Sequence, residues 1–437
     1  MDPIIVGIIG TFLAILLLLL GMPIALALML TGFLGIWHLS SLNAALPVAA
    51  RTVYSVASHY AYMVIPLFLL MGAFANSSGL IDNLYKTFDK WLRKLPGGLG
   101  AATIAACAGF SAVSGSAVAT AAAMGTIAYP EMKKYNYSPR LATGTIAAGG
   151  TLGFLIPPSI GFVVYGMLAE QSIGRLLIAG IIPGLTLAVT FIAIVVLQVR
   201  LNPSLAPTSP ETVSWREKVS ALKGVWEILL VFLVVMGGIY LGWFSPTEAG
   251  ATGATLLFFV ALAKRKLTFD SLFKSMQESI RVSVMVLFLV AGATVFSYFL
   301  ALSTIPAQLA GWVVGLEVSP YVVLSIILVV FLFLGCFIDA VSMMVLTLPV
   351  IFPVILGLGF DPIFFGVVCV LMMQVGLITP PMGLNLYTIA GSAKDVPLED
   401  IFAGAMPFVI PILIIVVLIT IFPGIALFLP DMMLGGR

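Results

Sequence analysis

The chain is expected to fold as an all-α polytopic membrane protein made of two inverted-topology repeats, each with a re-entrant hairpin and a broken helix. Three observations predict this. The first is composition: the 437 residues are 61% hydrophobic and 9% charged, with a mean hydropathy of +1.18, whereas soluble domains carry about 25% charged residues. The second is an internal echo. Pro157-Pro158 and Pro380-Pro381 lie 223 residues apart, in the matching settings Gly153-Phe-Leu-Ile-Pro-Pro and Gly376-Leu-Ile-Thr-Pro-Pro. The same offset pairs Pro23 with Pro246, Pro130 with Pro353 and Pro139 with Pro362. The third is charge asymmetry: the connections 81–96, 131–140, 200–225, 264–281 and 392–400 hold 17 of the 20 basic residues. By the positive-inside rule these face the cytoplasm. The two double prolines then lie on helices running in opposite directions, which makes the duplication an inverted one.

About ten full spans are expected, near 4–20, 22–39, 60–78, 140–168, 175–199, 226–243, 248–263, 281–302, 362–391 and 403–429. Charge-free runs such as Ile4–Leu20 and Ile412–Leu429 approach the roughly 20 residues that cross a bilayer. Met1-Asp2-Pro3 lacks a basic leader, so Ile4–Leu20 reads as a retained helix rather than a cleaved signal. Two further apolar segments, 97–131 and 319–356, are interrupted at mid-length by Ser111-Ala-Val-Ser114-Gly115-Ser116 and Gly335-Cys-Phe-Ile-Asp339. Each is expected to form two short helices meeting at a tip, although two complete passes apiece are the alternative. The first repeat covers 1–200 (hairpin 97–131, broken helix 140–168), the second 226–437 (hairpin 319–356, broken helix 362–391), and 201–225, with Pro203, Pro207 and Pro210, is the cytoplasmic linker. Leu80–Leu95 and Leu267–Ser279 are amphipathic and expected to lie along the membrane surface.

Proline cannot donate to a helix and clashes with the preceding turn, so the double prolines free backbone carbonyls. At membrane depth irregular backbone survives only inside protein or beside a water-filled cavity. Two helices broken at matching places mark a transporter's binding site. Serine hydroxyls and freed carbonyls at the hairpin tips suit a hard cation, and helix N-termini aimed at the same cavity suit an anionic group. Gly149-Gly150-Thr151 and Gly383-Leu-Asn385 add room and polar atoms there. A cation-coupled transporter of an anionic solute is the expectation from these residues. Asp339 is the one carboxylate placed deep in the membrane, where such a group is expensive and generally functional; the competing role is a helix cap at the tip. Glu170 and Glu248 fall near span ends. His38, His59, Cys107, Cys336 and Cys369 show no metal-ligand spacing. Acidic or metal-ligating clusters of the kind an intramembrane enzyme needs are not seen, so catalysis is not expected.

These residues resemble a family. Gly97-Gly98-Leu99-Gly100, then Phe110-Ser111-Ala-Val-Ser114-Gly115-Ser116-Ala-Val-Ala-Thr120, is similar to the first hairpin of TRAP transporter large membrane subunits of the DctM and SiaM type. Ile156-Pro157-Pro158-Ser159, Ala179-Gly180-Ile-Ile-Pro183-Gly184, Pro246-Thr247-Glu248-Ala249-Gly250 and Gly376-Leu-Ile-Thr-Pro-Pro-Met-Gly383-Leu-Asn385 fit the same pattern, across essentially the whole chain. Asn76-Ser77-Ser78-Gly79 departs from a Gly-Gly pair common there.

The resemblance implies an elevator-type ion transporter fold in the bacterial inner membrane. It implies sodium-driven import of an organic acid (a C4-dicarboxylate, sialic acid or similar carboxylate), with a small four-helix membrane subunit and a periplasmic substrate-binding protein as partners. With no length for four more spans, the small subunit would be a separate chain. Carried onto this sequence, one sodium ion would be held by Ser111, Ser114, Gly153, Ile156 and Pro158. A second would be held by Gly335, Asp339, Gly376, Thr379 and Pro381. The solute would lie between the tips, by Ser116, Pro157, Ser159, Pro380, Gly383 and Asn385. Sodium is co-transported, and no organic cofactor is implied. The alternative is a stand-alone ion-coupled organic anion transporter or exchanger without a binding protein; a channel is weaker, since no charged ring or filter repeat is visible.

Overall fold

The computed structural model describes residues 2–207 and 213–433, and among these every regular element is a helix. Met1, Pro210 and the last four residues of the second repeat, 434–437, lie outside the described residues. The first half runs α1 (Pro3–Leu19), α2 (Ile24–Leu39), α3 (Leu42–Ser58), α4 (Val64–Ser77), α5 (Leu80–Leu92), α6 (Gly98–Ser114), α7 (Ala117–Lys134), α8 (Pro139–Thr151), α9 (Ile160–Leu168), α10 (Ile173–Ala179) and α11 (Ile181–Leu201). After α12 (Trp215–Ala221) come α13 (Trp226–Tyr240), α14 (Pro246–Ala263), α15 (Phe269–Ser303), α16 (Ile305–Val314), α17 (Pro320–Phe337), α18 (Ala340–Gly357), α19 (Pro362–Leu377), α20 (Leu384–Ser392), α21 (Leu398–Ala405), α22 (Val409–Ile421) and α23 (Gly424–Asp431). The 223-residue offset carries the starts of α1, α7 and α8 onto Trp226, Ala340 and Pro362, where α13, α18 and α19 begin. Proline opens both α8 and α19 at their first turn, where its missing N–H would be unpaired in any case.

Among the described residues seven helices are long and apolar enough to cross a membrane, or eight if the bent pair Trp215–Gly224 and Trp226–Tyr240 is one span, against about ten spans expected. Two of the seven, Pro320–Phe337 and Ala340–Gly357, are the arms of the second hairpin. The difference lies in length. α1 and α2 stop at 17 and 16 residues, and the stretches 140–168 and 362–391 are each two pieces. The stretch 175–199 does reach spanning length, within Ile173–Leu201, although α10 and α11 meet at Gly180. A second departure concerns Leu267–Ser279, which is not a separate surface helix: it is the first part of the 35-residue α15. No glycine or proline interrupts the chain between Phe269 and Ala291, so the helix propagates unbroken into the apolar part. Leu80–Leu95 does form its own helix, α5, which buries Leu80, Ile81 and Leu84 against α6. Trp91 anchors α5 to α12 by donating to the Lys218 carbonyl at 3.0 Å. The helices α3 and α16 were not foreseen; α3 contains Pro47 and a scatter of polar residues that mask its period.

Helix packing centres on two sets of crossings, joined by contacts of α4 with α6 and of α15 with α18. In one, α15 lies along α2 and α4, and α14 lies along α4. Backbones approach closely there: a Cβ on Gly292 would stand 2.4 Å from the Ala25 carbonyl oxygen, and one on Gly32 would stand 2.8 Å from the Phe296 nitrogen. Small residues permit such crossings in membranes. The other set packs α6, α7 and α8 with α20 and α21, and α17 with α18 and α19. Large apolar side chains that remain exposed, such as Phe12, Leu19, Val329 and Phe333, sit on α1 and α17, as expected of surfaces facing hydrocarbon.

Candidate functional site

Both interrupted segments are helical hairpins. In the first, α6 ends at Gly115, whose φ of +67° favours glycine, and α7 begins after Ser116, whose hydroxyl accepts from the Ala119 N–H at 3.3 Å. The tip rests on the first helix break. The Ile160 N–H donates to the Gly115 carbonyl at 3.2 Å. A Cβ on Gly115 would meet the Pro158 carbonyl oxygen at 2.5 Å, and one on Gly153 would meet the Ser116 carbonyl oxygen at 2.6 Å. Thr120 ties the turn, donating to the Ser116 carbonyl at 2.8 Å and standing 3.5 Å from the Ser114 hydroxyl. Ser114 is buried, and the buried Ser111 hydroxyl donates to the Cys107 carbonyl at 2.7 Å. Thus Ser114, Gly153 and Pro158 meet at one backbone crossing. Ile156 packs against Gly184 instead, 2.7 Å from where a Cβ there would stand.

The second half repeats the arrangement with different details. Gly335 and Gly376 touch backbone to backbone, the Gly335 carbonyl oxygen lying 2.6 Å from where a Gly376 Cβ would be. The Met382 N–H donates to the Cys336 carbonyl at 3.0 Å, which fastens the break to the tip. Asp339 caps α18, accepting from the Ser342 N–H at 3.1 Å. Thr379 donates to the Val375 carbonyl and Tyr387 to the Pro381 carbonyl, the latter at 3.1 Å. Gly383 holds φ +41° just before α20. Both double prolines, Pro157-Pro158 and Pro380-Pro381, contain cis peptide bonds.

The halves interlock at the breaks. Asn385 on α20 is wholly buried and donates to the Ala147 carbonyl of α8 at 3.1 Å, while its Oδ1 has no partner. Tyr165 on α9 donates to the Pro362 carbonyl at the start of α19, at 2.7 Å. Ser159 is buried with its hydroxyl committed: it donates to the Phe154 carbonyl and accepts from the Phe162 N–H at 3.3 Å.

A cavity of about 390 Å3 opens between the tips and the other helix group. Ser114, Ser116 and Asp339 line it from the hairpins, and Asn76, Glu278 and Ser279 from α4 and α15. Its remaining wall is largely apolar, as ligand sites generally are. Pro157, Ser159, Pro380, Gly383 and Asn385 are not in this lining; all but the half-buried Pro380 are buried.

Sequence reasoning missed three cavity residues, Asn76, Glu278 and Ser279. The only signal for Glu278 was a polar position on an amphipathic stretch, which reads equally as a solvated face. It also missed Gln374, wholly buried on α19 with neither side-chain amide atom hydrogen-bonded. A lone glutamine inside the apolar run of 362–377 was the available signal.

Residues 11–425 match the family described as the tripartite ATP-independent periplasmic transporter, DctM component. The chain is 37% identical over 384 residues to the C4-dicarboxylate TRAP transporter large permease protein DctM of Pseudomonas aeruginosa, covering 87% of this chain and 89% of that one. It is 32% identical over 422 residues to the sialic acid TRAP transporter large permease protein SiaM of Vibrio cholerae, covering 96% and 97%. Among solved structures, the YdaH transporter of Alcanivorax borkumensis matches in fold with a TM-score of 0.65 at 16% identity, over 88% of this chain and 90% of that one.

Proposed function

The chain belongs to the DctM component family of tripartite ATP-independent periplasmic transporters, and from that premise we propose that it is the membrane subunit that carries an organic acid across the inner membrane, driven by sodium. The single observation that carries this reading is the meeting of two hairpin tips with two helix breaks around one cavity. The partners that fit are a small membrane subunit and a periplasmic binding protein. One relative is a C4-dicarboxylate system and another a sialic acid system, and a carboxylate is the common chemistry carried over here.

In this reading a sodium ion at the first tip draws on the oxygens of Ser111, Ser114, Gly153, Ile156 and Pro158. A second draws on Gly335, Asp339, Gly376, Thr379 and Pro381. Hard cations take oxygen ligands, and the donors at both crossings are carbonyls, hydroxyls and one carboxylate. The anionic group of the solute would meet the N-termini of α7 and α18, whose partial positive charge favours it. Translocation would be an elevator movement of the hairpin-bearing group past α2, α4, α14 and α15. The interlock of α20 with α8 and of α9 with α19 supports this, because the breaks and tips can move as one packed body.

The test is uptake into proteoliposomes holding this chain and its small membrane subunit, supplied with the loaded binding protein. A sodium gradient should be required. Robust uptake with potassium in place of sodium would sink the coupling, and equal uptake without any binding protein would favour a stand-alone exchanger.

A further inference from the structure

The segment that joins the two halves is built like a membrane-surface element. Trp215, Val219, Leu222 and Trp226 recur at helical spacing along α12 and the start of α13, and each is 45–72% exposed. The row continues past a 52° bend onto Leu229 and Leu233 of α13, which are also exposed. The bend marks the level at which the spans leave the bilayer. Glu227, in the first turn of α13, pairs at 2.8 Å with Lys264, the residue that follows α14. A short helix at that level, whose apolar row runs on into a lipid-facing one, fits the bilayer interface.

α12 is fastened to the amphipathic α5. Trp91 donates to the Lys218 carbonyl, Thr87 donates to the Ala221 carbonyl at 2.9 Å, and the Trp91 and Trp215 rings meet edge to face at 5.8 Å. Between the two helices opens a pocket of about 190 Å3, lined by Asn83, Lys86, Thr87 and Lys90 of α5 and by Ser220 and Gly224. Lys86 and Lys90 stand one turn apart in it. Among the described residues neither has an ion pair, nor do Arg216 and Lys223 beside them in sequence on α12 and the following turn. The carboxylates of this region are committed or apart. Glu217 accepts from the Ser214 N–H at 2.9 Å, Asp89 holds Arg93, and Asp82 makes no ion pair with Lys86. Like charges one turn apart destabilise a helix, and an anion shared between them removes that cost.

We propose that this pocket binds the phosphate of an anionic phospholipid of the cytoplasmic leaflet, with α12 seated beside it as an interfacial anchor. Lysine ammonium groups form charge-assisted hydrogen bonds to phosphate, and the Asn83 amide and Ser220 hydroxyl are further donors in the lining. Basic residues next to a spanning helix attract anionic lipid. A lipid is the occupant rather than a free ion because the apolar row of α12 places the pocket at the bilayer surface. The site is independent of the solute and of the coupling ion.

The experiment is native mass spectrometry of the chain with its small membrane subunit, delipidated and titrated with phosphatidylglycerol or phosphatidylcholine of the same acyl chains. One phosphatidylglycerol should bind about tenfold or more tighter than phosphatidylcholine, a margin of the size one charge-assisted contact supplies. Lys86→Gln with Lys90→Gln should erase that preference, and Lys86→Arg with Lys90→Arg should retain it. Lys266→Gln with Lys394→Gln removes the same charge at exposed positions outside the pocket and should leave the preference intact. Equal binding of the two lipids by the parent overturns the proposal, as does an unchanged preference in the glutamine pair or an equal loss in the control pair. Loss of phosphatidylglycerol to excess inorganic phosphate at constant ionic strength would make this a free-anion site. Release of the small subunit by the glutamine pair, with lipid binding unaltered, would assign the surface to that protein instead.

Discussion

Asp339 has two duties, and a substitution can separate them. It caps α18 through the Ser342 N–H, and its side chain lines the cavity. Asparagine caps a helix about as well, so Asp339→Asn should keep the fold. If the carboxylate also holds a cation, the half-saturating sodium concentration for uptake should rise about tenfold, equivalent to about 1.4 kcal/mol. An unchanged sodium dependence in the same lipid would leave capping as its entire role. Gly376 is the neighbouring case: a methyl group there would meet the Gly335 carbonyl oxygen at 2.6 Å, and neither partner has a side chain that could yield. Gly376→Ala should therefore cost about 1–3 kcal/mol of stability, the range for overpacking, and lower the melting temperature in detergent. Gly237→Ala, where an added Cβ meets nothing within 4 Å, is the control and should leave melting unchanged or raise it slightly. Equal melting of both variants would show that the backbone crossing relaxes freely.

Among elements, the α8–α21 crossing shows which force holds two helices together here. A Cβ on Gly144 would stand 2.0 Å from the Gly404 carbonyl oxygen, so the backbones are in direct contact, while Arg140 and Asp400 form an ion pair at 2.6 Å at the exposed end. Exposed ion pairs contribute about 0–1 kcal/mol, less than forcing the helices apart costs. Gly144→Val should therefore lower the melting temperature more than Arg140→Ala, and the reverse order would reassign the crossing to charge. At another tie, Lys133 and Tyr129 on α7 both reach Asp395, each at 2.8 Å, in the loop after α20. These hydrogen bonds, Lys133 first, hold the Asp395 pKa below its ordinary value. A depressed carboxylate pKa stabilises above the unfolded-state value and loses its contribution as pH falls through the folded one. The melting difference between the parent and Asp395→Asn should thus stay constant from about pH 8 to pH 5 and shrink only below about pH 4. A difference that disappears between pH 7 and pH 5 would assign the tie to another group.

For the whole molecule, orientation is the property that one labelling experiment decides. The basic connections predict Lys133 and Lys264 in the cytoplasm and Arg51 and Arg175 outside. Single cysteines at these positions, in a background lacking Cys107, Cys336 and Cys369, should react with an impermeant thiol reagent in intact cells only at 51 and 175. Labelling at 133 would overturn the orientation. With that orientation, Asn76 and Glu278, which line the cavity, lie toward the cytoplasmic ends of α4 and α15.

By itself the sequence determined the membrane class, the two hairpins and the two broken helices. Each of these follows from local chemistry: a charge-free run excludes water, a double proline removes donors wherever it stands, and a Gly-Ser or Asp turn supplies its own cap. The partners of these features were not legible. That Asn385 reaches Ala147, that Tyr165 reaches Pro362 and that Glu278 faces the tips was decided by the tertiary structure. So was the continuity of α15. The reason is physical. Helices such as α19, apolar on every side, show no stripe to tell which face meets protein and which meets lipid. The choice is made by close glycine contacts between segments far apart in the chain, such as Gly144 with Gly404 and Gly292 with Ala25, and such contacts leave no period in the sequence.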